Sequence, residues 1–128
     1  MGNAEYSAKV VEATRELTGK ERVAIKTFAN ARQLDVVTQN YEDGVLIDID
    51  YVAKVAVHNE KSDNKDYNKY IYMDKDGIMY VSGSETLYRA YQEIAEEMEN
   101  EDEDWAIKVI RKESSNYKGK DFLTCVIV

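Results

Sequence analysis

Proline is absent from the 128 residues, and cysteine, histidine and tryptophan occur once each, at Cys125, His58 and Trp105. A lone cysteine excludes an internal disulfide and points to a reducing compartment. With no histidine near it in sequence, Cys125 reads as a buried structural thiol in the apolar run 122–128 rather than as a nucleophile. A single His and a single Cys leave no metal-ligand set, so neither a metal nor a cofactor is expected. No segment approaches the roughly 20 apolar residues of a membrane span. The first 11 residues, with Glu5 and Lys9 among them, lack the apolar stretch of a secretory leader. Low-complexity linkers and internal repeats are missing too, so residues 1–128 are expected to form one domain, with 1–17 as an N-terminal extension.

Basic residues are also in short supply, 17 against 25 acidic, for a net charge of −8. The imbalance is local. Residues 85–104 hold nine carboxylates and one cation, Arg89, a charge of −8 that equals the total, while 105–128 carry Lys108, Arg111, Lys112, Lys118 and Lys120 against Glu113 and Asp121. A basic C-terminal hairpin therefore follows an acidic segment.

What is present is strand periodicity. Val45, Ile47, Ile49, Tyr51, Ala53, Val55 and Val57 are apolar at every second position, which predicts one long strand with a bend near Tyr51-Val52-Ala53. The charged, amide-rich residues 60–68 read as a loop. Strands 69–73 and 78–81 are joined through Asp74-Lys75-Asp76-Gly77, a hairpin turn because glycine tolerates the positive φ required. Ser82 and Ser84 compete to cap a helix whose Leu87, Tyr91, Ile94 and Met98 form one apolar stripe, and the acidic run beyond it favours an end near Asn100. Strands 105–112 and 120–128 close the chain. Earlier, Thr18-Gly19-Lys20-Glu21 has capping-box spacing and favours a helix over 20–29, although Val23, Ile25 and Thr27 also alternate as in a strand. The β-branched residues 34–38 read as a short strand. Strands around one or two helices suggest a mainly β fold, an OB-like five-stranded Greek-key barrel.

Catalytic signatures are lacking. Asp48 and Asp50 share a strand face but read as its polar side, Asp74 to Gly77 lacks the remaining positions of a calcium loop, and no phosphate-binding glycine pattern occurs. A binder rather than an enzyme is expected. The ten tyrosines are the obvious chemistry, since aromatic faces interleaved with cations bind unpaired bases by stacking. Two clusters have that mixture: residues 65–72 with Tyr67, Lys69, Tyr70 and Tyr72, and residues 108–122 with Lys108, Arg111, Lys112, Tyr117, Lys118, Lys120 and Phe122. Tyr51 and Lys54 on the long strand join the candidate set. Tyrosines at the edge of a core, hydroxyl outward, would give the same composition.

Several pieces recur together: Asp43-Gly44 before a Val/Ile alternation through Ala53 and Lys54, then Asp76-Gly77-x-x-Tyr80, an amphipathic helix, Trp105-x-Ile107-Lys108-Val109, and Ser114-Ser115 near Lys118-Gly119 and Phe122. In this order the chain resembles the single-stranded DNA-binding proteins of small protein-primed phages of Bacillus and related hosts. The resemblance implies a non-enzymatic protein of the host cytoplasm that coats and protects displaced single strands during phage DNA replication, with single-stranded DNA as partner and no membrane. It is compatible with a homo-oligomer and with contacts to phage replication proteins. Two other readings stay open: an acidic phage inhibitor that mimics DNA, which would need carboxylates spread over one face, and an accessory virion protein using the apolar C-terminal strand as a sheet edge.

Overall fold

The computed structural model describes residues 5–41, 43–113 and 121–128. Along them run β1 (Tyr6–Ala13), α1 (Gly19–Lys26), a 3₁₀ turn (Phe28–Asn30), β2 (Arg32–Gln33), α2 (Leu34–Asn40), β3 (Val45–Ile47), β4 (Ile49–Asn59), β5 (Asp66–Asp74), β6 (Met79–Ser82), α3 (Glu85–Met98), β7 (Ile107–Glu113) and β8 (Asp121–Ile127). The chain forms two compact units. One combines the residues up to 31 with 50–83; the other combines 32–49 with those from 84 onward.

In the first unit, β1, β4, β5 and β6 lie side by side. The antiparallel ladder of β1 on β4 runs from Tyr6 opposite Asn59 to Ala13 opposite Ala53, and slips between Val10 and Glu12 at a bulge. Residues 1–17 were expected to be an extension, yet 6–13 are a strand of this sheet. Tyr51, Ala53, Val55 and Val57 of β4, Ile71 of β5 and Val81 of β6 share one face and form a core with Leu17 and Ile25. These strand positions share a face because residues two apart on a strand point the same way.

Helix α1 starts as its capping box predicts: Thr18 Oγ1 accepts the Glu21 N–H at 3.1 Å, and Glu21 accepts the Thr18 N–H at 2.9 Å. Arg15 then links the helix to β4. Its guanidinium reaches Glu21 at 2.7 Å and Asp50 at 3.0 Å, and lies 4.6 Å from the centre of the Tyr51 ring. The Arg15 hydrogen bond, aided by that from Thr18, pulls the Glu21 carboxyl down to about 2. At the other end of the sheet the hairpin forms as expected, with Gly77 at φ +85° and Asp74 Oδ1 accepting the Asp76 N–H at 2.7 Å.

The second unit holds the sheet β3-β7-β8. Val45, Leu46 and Ile47 pair with Val109, Lys108 and Ile107, and β7 pairs with β8 from Ile107 opposite Ile127 to Glu113 opposite Asp121. Helix α3 packs against β8 and buries Leu87, Tyr88 and Tyr91, while Ser84 Oγ caps it by accepting the Leu87 N–H at 3.1 Å. Trp105 stacks on Tyr91 at 6.3 Å between ring centres. The helix ends at Met98, close to the expected stop.

The mainly β reading holds, with departures. Three α-helices are present among the described residues rather than one or two. Neither sheet closes on itself there, so the five-stranded OB-like barrel is not what these ladders form. The long strand breaks at Asp48 instead of bending at 51–53: Ile47 belongs to the β7 ladder, whereas the Asp50 carboxylate is taken by Arg15. Residues 34–38 are helical despite their β-branching. Leu34 and Thr38, one turn apart, are both buried, and the Thr38 hydroxyl donates to Leu34 O at 2.7 Å, so burial outweighs propensity.

Candidate nucleic-acid interface

The tyrosine supply is mostly consumed by packing. Of the nine described tyrosines, Tyr51, Tyr70, Tyr72, Tyr80, Tyr88 and Tyr91 are buried at 8% exposure or less, and Tyr67 is half-buried. A ring without an open face cannot receive a base, so burial places Tyr51, Tyr70 and Tyr72 in packing roles. Tyr6 and Tyr41 are the exposed ones among the nine.

The 65–72 cluster divides by strand parity. Tyr67 and Lys69 point to the side of β5 that carries Ile71, where the Lys69 ammonium lies 5.9 Å from the Tyr67 ring centre. Tyr70 and Tyr72 point to the opposite side, opposite Ser82 and Tyr80 of β6. Interleaving in sequence therefore does not become one aromatic-basic surface. Lys54 is half-buried on β4 with Glu12 as its ladder partner, a pairing that offsets its charge.

The 108–122 cluster is different. Val45, Ile47, Ile107, Val109, Leu123 and Cys125 are the buried positions of the β3-β7-β8 sheet. Alternation puts Leu46, Lys108, Ile110, Lys112, Phe122, Thr124 and Val126 on the other face. This face is open: Leu46 is 58% exposed, Val126 41% and Phe122 36%. Across its strands Leu46, Lys108 and Val126 stand in one row, and Lys112 stands opposite Phe122 in another. Seven side chains thus supply two ammonium groups, an aromatic ring, apolar surface and a hydroxyl, with no carboxylate at any of these strand positions. At the edge of the same face, Gly44 has φ +95° and lies so close to β7 that a Cβ would meet Lys108 Cγ and Ile110 Cγ2 at 2.8 Å.

An open, basic and partly aromatic sheet face is the kind of platform that unpaired nucleic acid uses. The family described as phage single-stranded DNA-binding protein matches residues 5–128, nearly the whole chain. The chain belongs to that family. No curated protein and no solved structure matches it. Membership gives the phage protein its broad role, binding single-stranded DNA in phage replication, and the family is one of binding proteins. The match begins at residue 5, so it takes in β1.

The remaining candidates of this phage protein separate. Arg111 points to the covered side of β7, where Nη2 donates to Asp35 O at 2.6 Å and to Thr38 Oγ1 at 3.3 Å, and Nη1 stands 3.7 Å from Asp121. It ties α2 to the sheet. Its Nε is enclosed without an acceptor among the described residues. Beside it a concavity of about 380 Å³ is lined by Thr38, Gln39, Tyr41, Arg111 and Asp121. Tyr117, Lys118 and Lys120 lie outside the described residues. The sequence reading missed Leu46 and Val126 as surface groups, although both stand opposite Lys108 on one face, and it counted Tyr41 only as one of the ten tyrosines. Cys125 is buried, and that burial pushes its thiol up to about 11. No described helix is long and apolar enough to cross a membrane.

Proposed function

We propose that single-stranded DNA lies across the open face of β3-β7-β8. Phe122 stacks on a base, Lys108 and Lys112 hold phosphates, and Leu46 and Val126 pack against the apolar faces of neighbouring nucleotides. The protein coats and protects strands displaced during phage DNA replication in the host cytoplasm. It reads no sequence, because the face has no bidentate base reader of the arginine or amide kind. One observation supports this placement above the others: in a chain of net charge −8, the strand positions of this face carry two lysines beside a half-exposed phenylalanine and no carboxylate.

Quenching of intrinsic fluorescence by oligo-dT, with a duplex of equal length as control, measures the affinity. Single-strand binding releases about 0.7 counterion per neutralised phosphate, so Lys108→Ala/Lys112→Ala should flatten the slope of log affinity against log salt by about 1.4. Phe122→Ala should weaken binding by roughly 1–3 kcal/mol, the worth of one stacked base. An unchanged slope in the double lysine variant, with folding intact, sinks this placement of the strand.

A further inference from the structure

We infer that the concavity at the C-terminal end of α2 is a nucleobase subsite, in which an unpaired base stacks on Tyr41 and sets its edge against Arg111 and Asp121, which stand side by side. This rests on the reading of the protein as a binder of single-stranded DNA, whichever face of the sheet the strand crosses. Arg111 and Lys112 are consecutive in β7, so the subsite and the open face lie on opposite sides of the same stretch of strand.

Three observations carry the inference. Tyr41 is the most exposed of the described tyrosines, at 59%, and it lines this concavity of about 380 Å³, within the range of about 300–1,000 Å³ common for small-ligand sites. The Arg111 guanidinium is fixed by α2 through one nitrogen, yet Nη1 stands 3.7 Å from Asp121, beyond hydrogen-bonding distance, and so keeps donor capacity. The polar groups around the ring also come in both senses: Arg111 donates, Asp121 accepts, and the Gln39 carboxamide does either.

That balance selects the ligand. A phosphate at this place would gain Arg111 and face the Asp121 carboxylate, whereas the edge of an unpaired base carries an acceptor for the guanidinium and an N–H for the carboxylate. All four bases satisfy the pair, so the subsite adds affinity for bases without sequence preference. The fixed guanidinium has lost its freedom before the ligand arrives, which reduces the entropy cost of binding.

The test compares oligo-dT with an abasic strand of the same length. Tyr41→Ala should lower affinity for oligo-dT roughly 5- to 150-fold while leaving the abasic strand bound as by the unaltered protein, and Tyr41→Phe should retain affinity for both. Because Tyr41 is exposed, circular dichroism and the thermal midpoint should not change. Unaltered oligo-dT affinity in Tyr41→Ala, or equal losses on both strands, overturns the subsite. The two proposals fail separately: loss in Lys108→Ala/Lys112→Ala without loss in Tyr41→Ala removes the subsite alone, and the converse removes the open-face placement while supporting the base at Tyr41.

Discussion

Replacing Gly44 by alanine should unsettle the proposed DNA platform at its edge. The residue sits at φ +95°, where an L-side chain costs roughly 1–2 kcal/mol, and its new Cβ would stand 2.7 Å from the backbone oxygen of Val109. Val109 cannot retreat freely, because it pairs with Val45 on one side and Cys125 on the other. Shifting packed neighbours costs a further ~1–3 kcal/mol, so Gly44→Ala should lose roughly 2–5 kcal/mol. Gly77 supplies the control: its φ is +85°, but nothing lies within 4 Å of a Cβ built there, which leaves the conformational cost of roughly 1–2 kcal/mol alone. Urea unfolding followed by circular dichroism resolves the two. With a denaturant slope of roughly 1–3 kcal/mol per molar, the midpoint should fall by on the order of 1–2 M for Gly44→Ala and by under about 1 M for Gly77→Ala. Displacement of β3 would also carry Leu46 away from Lys108, so oligo-dT affinity should decline in the first variant and hold in the second. Equal midpoints for the two variants would refute the close-contact reasoning.

His58 donates from the end of β4 to carboxylates on both sides, Asp66 at 2.7 Å and Glu60 at 3.0 Å, and these raise its pKa above the ordinary 6.5, Asp66 most. The stabilisation is fully present below 6.5 and lost as pH rises through the folded value, so thermal melts of His58→Gln should lack a pH-dependent component that the unaltered protein shows; identical pH profiles would remove the charged bridge. Cys125, whose thiol burial pushes up to about 11, should react with a thiol reagent near pH 8 far more slowly in the native protein than in urea, and equal rates would contradict its burial.

Features written into short stretches were legible in the sequence. The cap at Thr18, the turn at Asp74 to Gly77 and the stripe of α3 each depend on residues within one or two turns, and each forms as expected. What escaped depends on distant partners. Asp48 reads as one more polar position in an alternating run, and only the separate ladders of β3 on β7 and of β4 on β1 make it a break. Residues 34–38 have strand propensity, but the buried pair Leu34 and Thr38 needs the spacing of a helix. The tyrosines misled most, since their number was read as binding capacity while six of the nine described rings fill interior space. Strand parity was the better guide: it separates Arg111 from Lys108 and Lys112, and the structure turns the first toward α2 and leaves the others on the open face.

Helix α3 packs on β8, whose buried Leu123 and Cys125 face away from Phe122 and Val126. The protein's negative charge is concentrated in that helix and the residues that follow it, nine carboxylates against Arg89 between 85 and 104. A strand laid along the open face as proposed would meet the lysines on one side of this sheet while the carboxylates of α3 stand on its other side. Two strands covered in the proposed way would repel each other at low salt, which would hinder complementary strands from meeting, and more weakly as ionic strength rises.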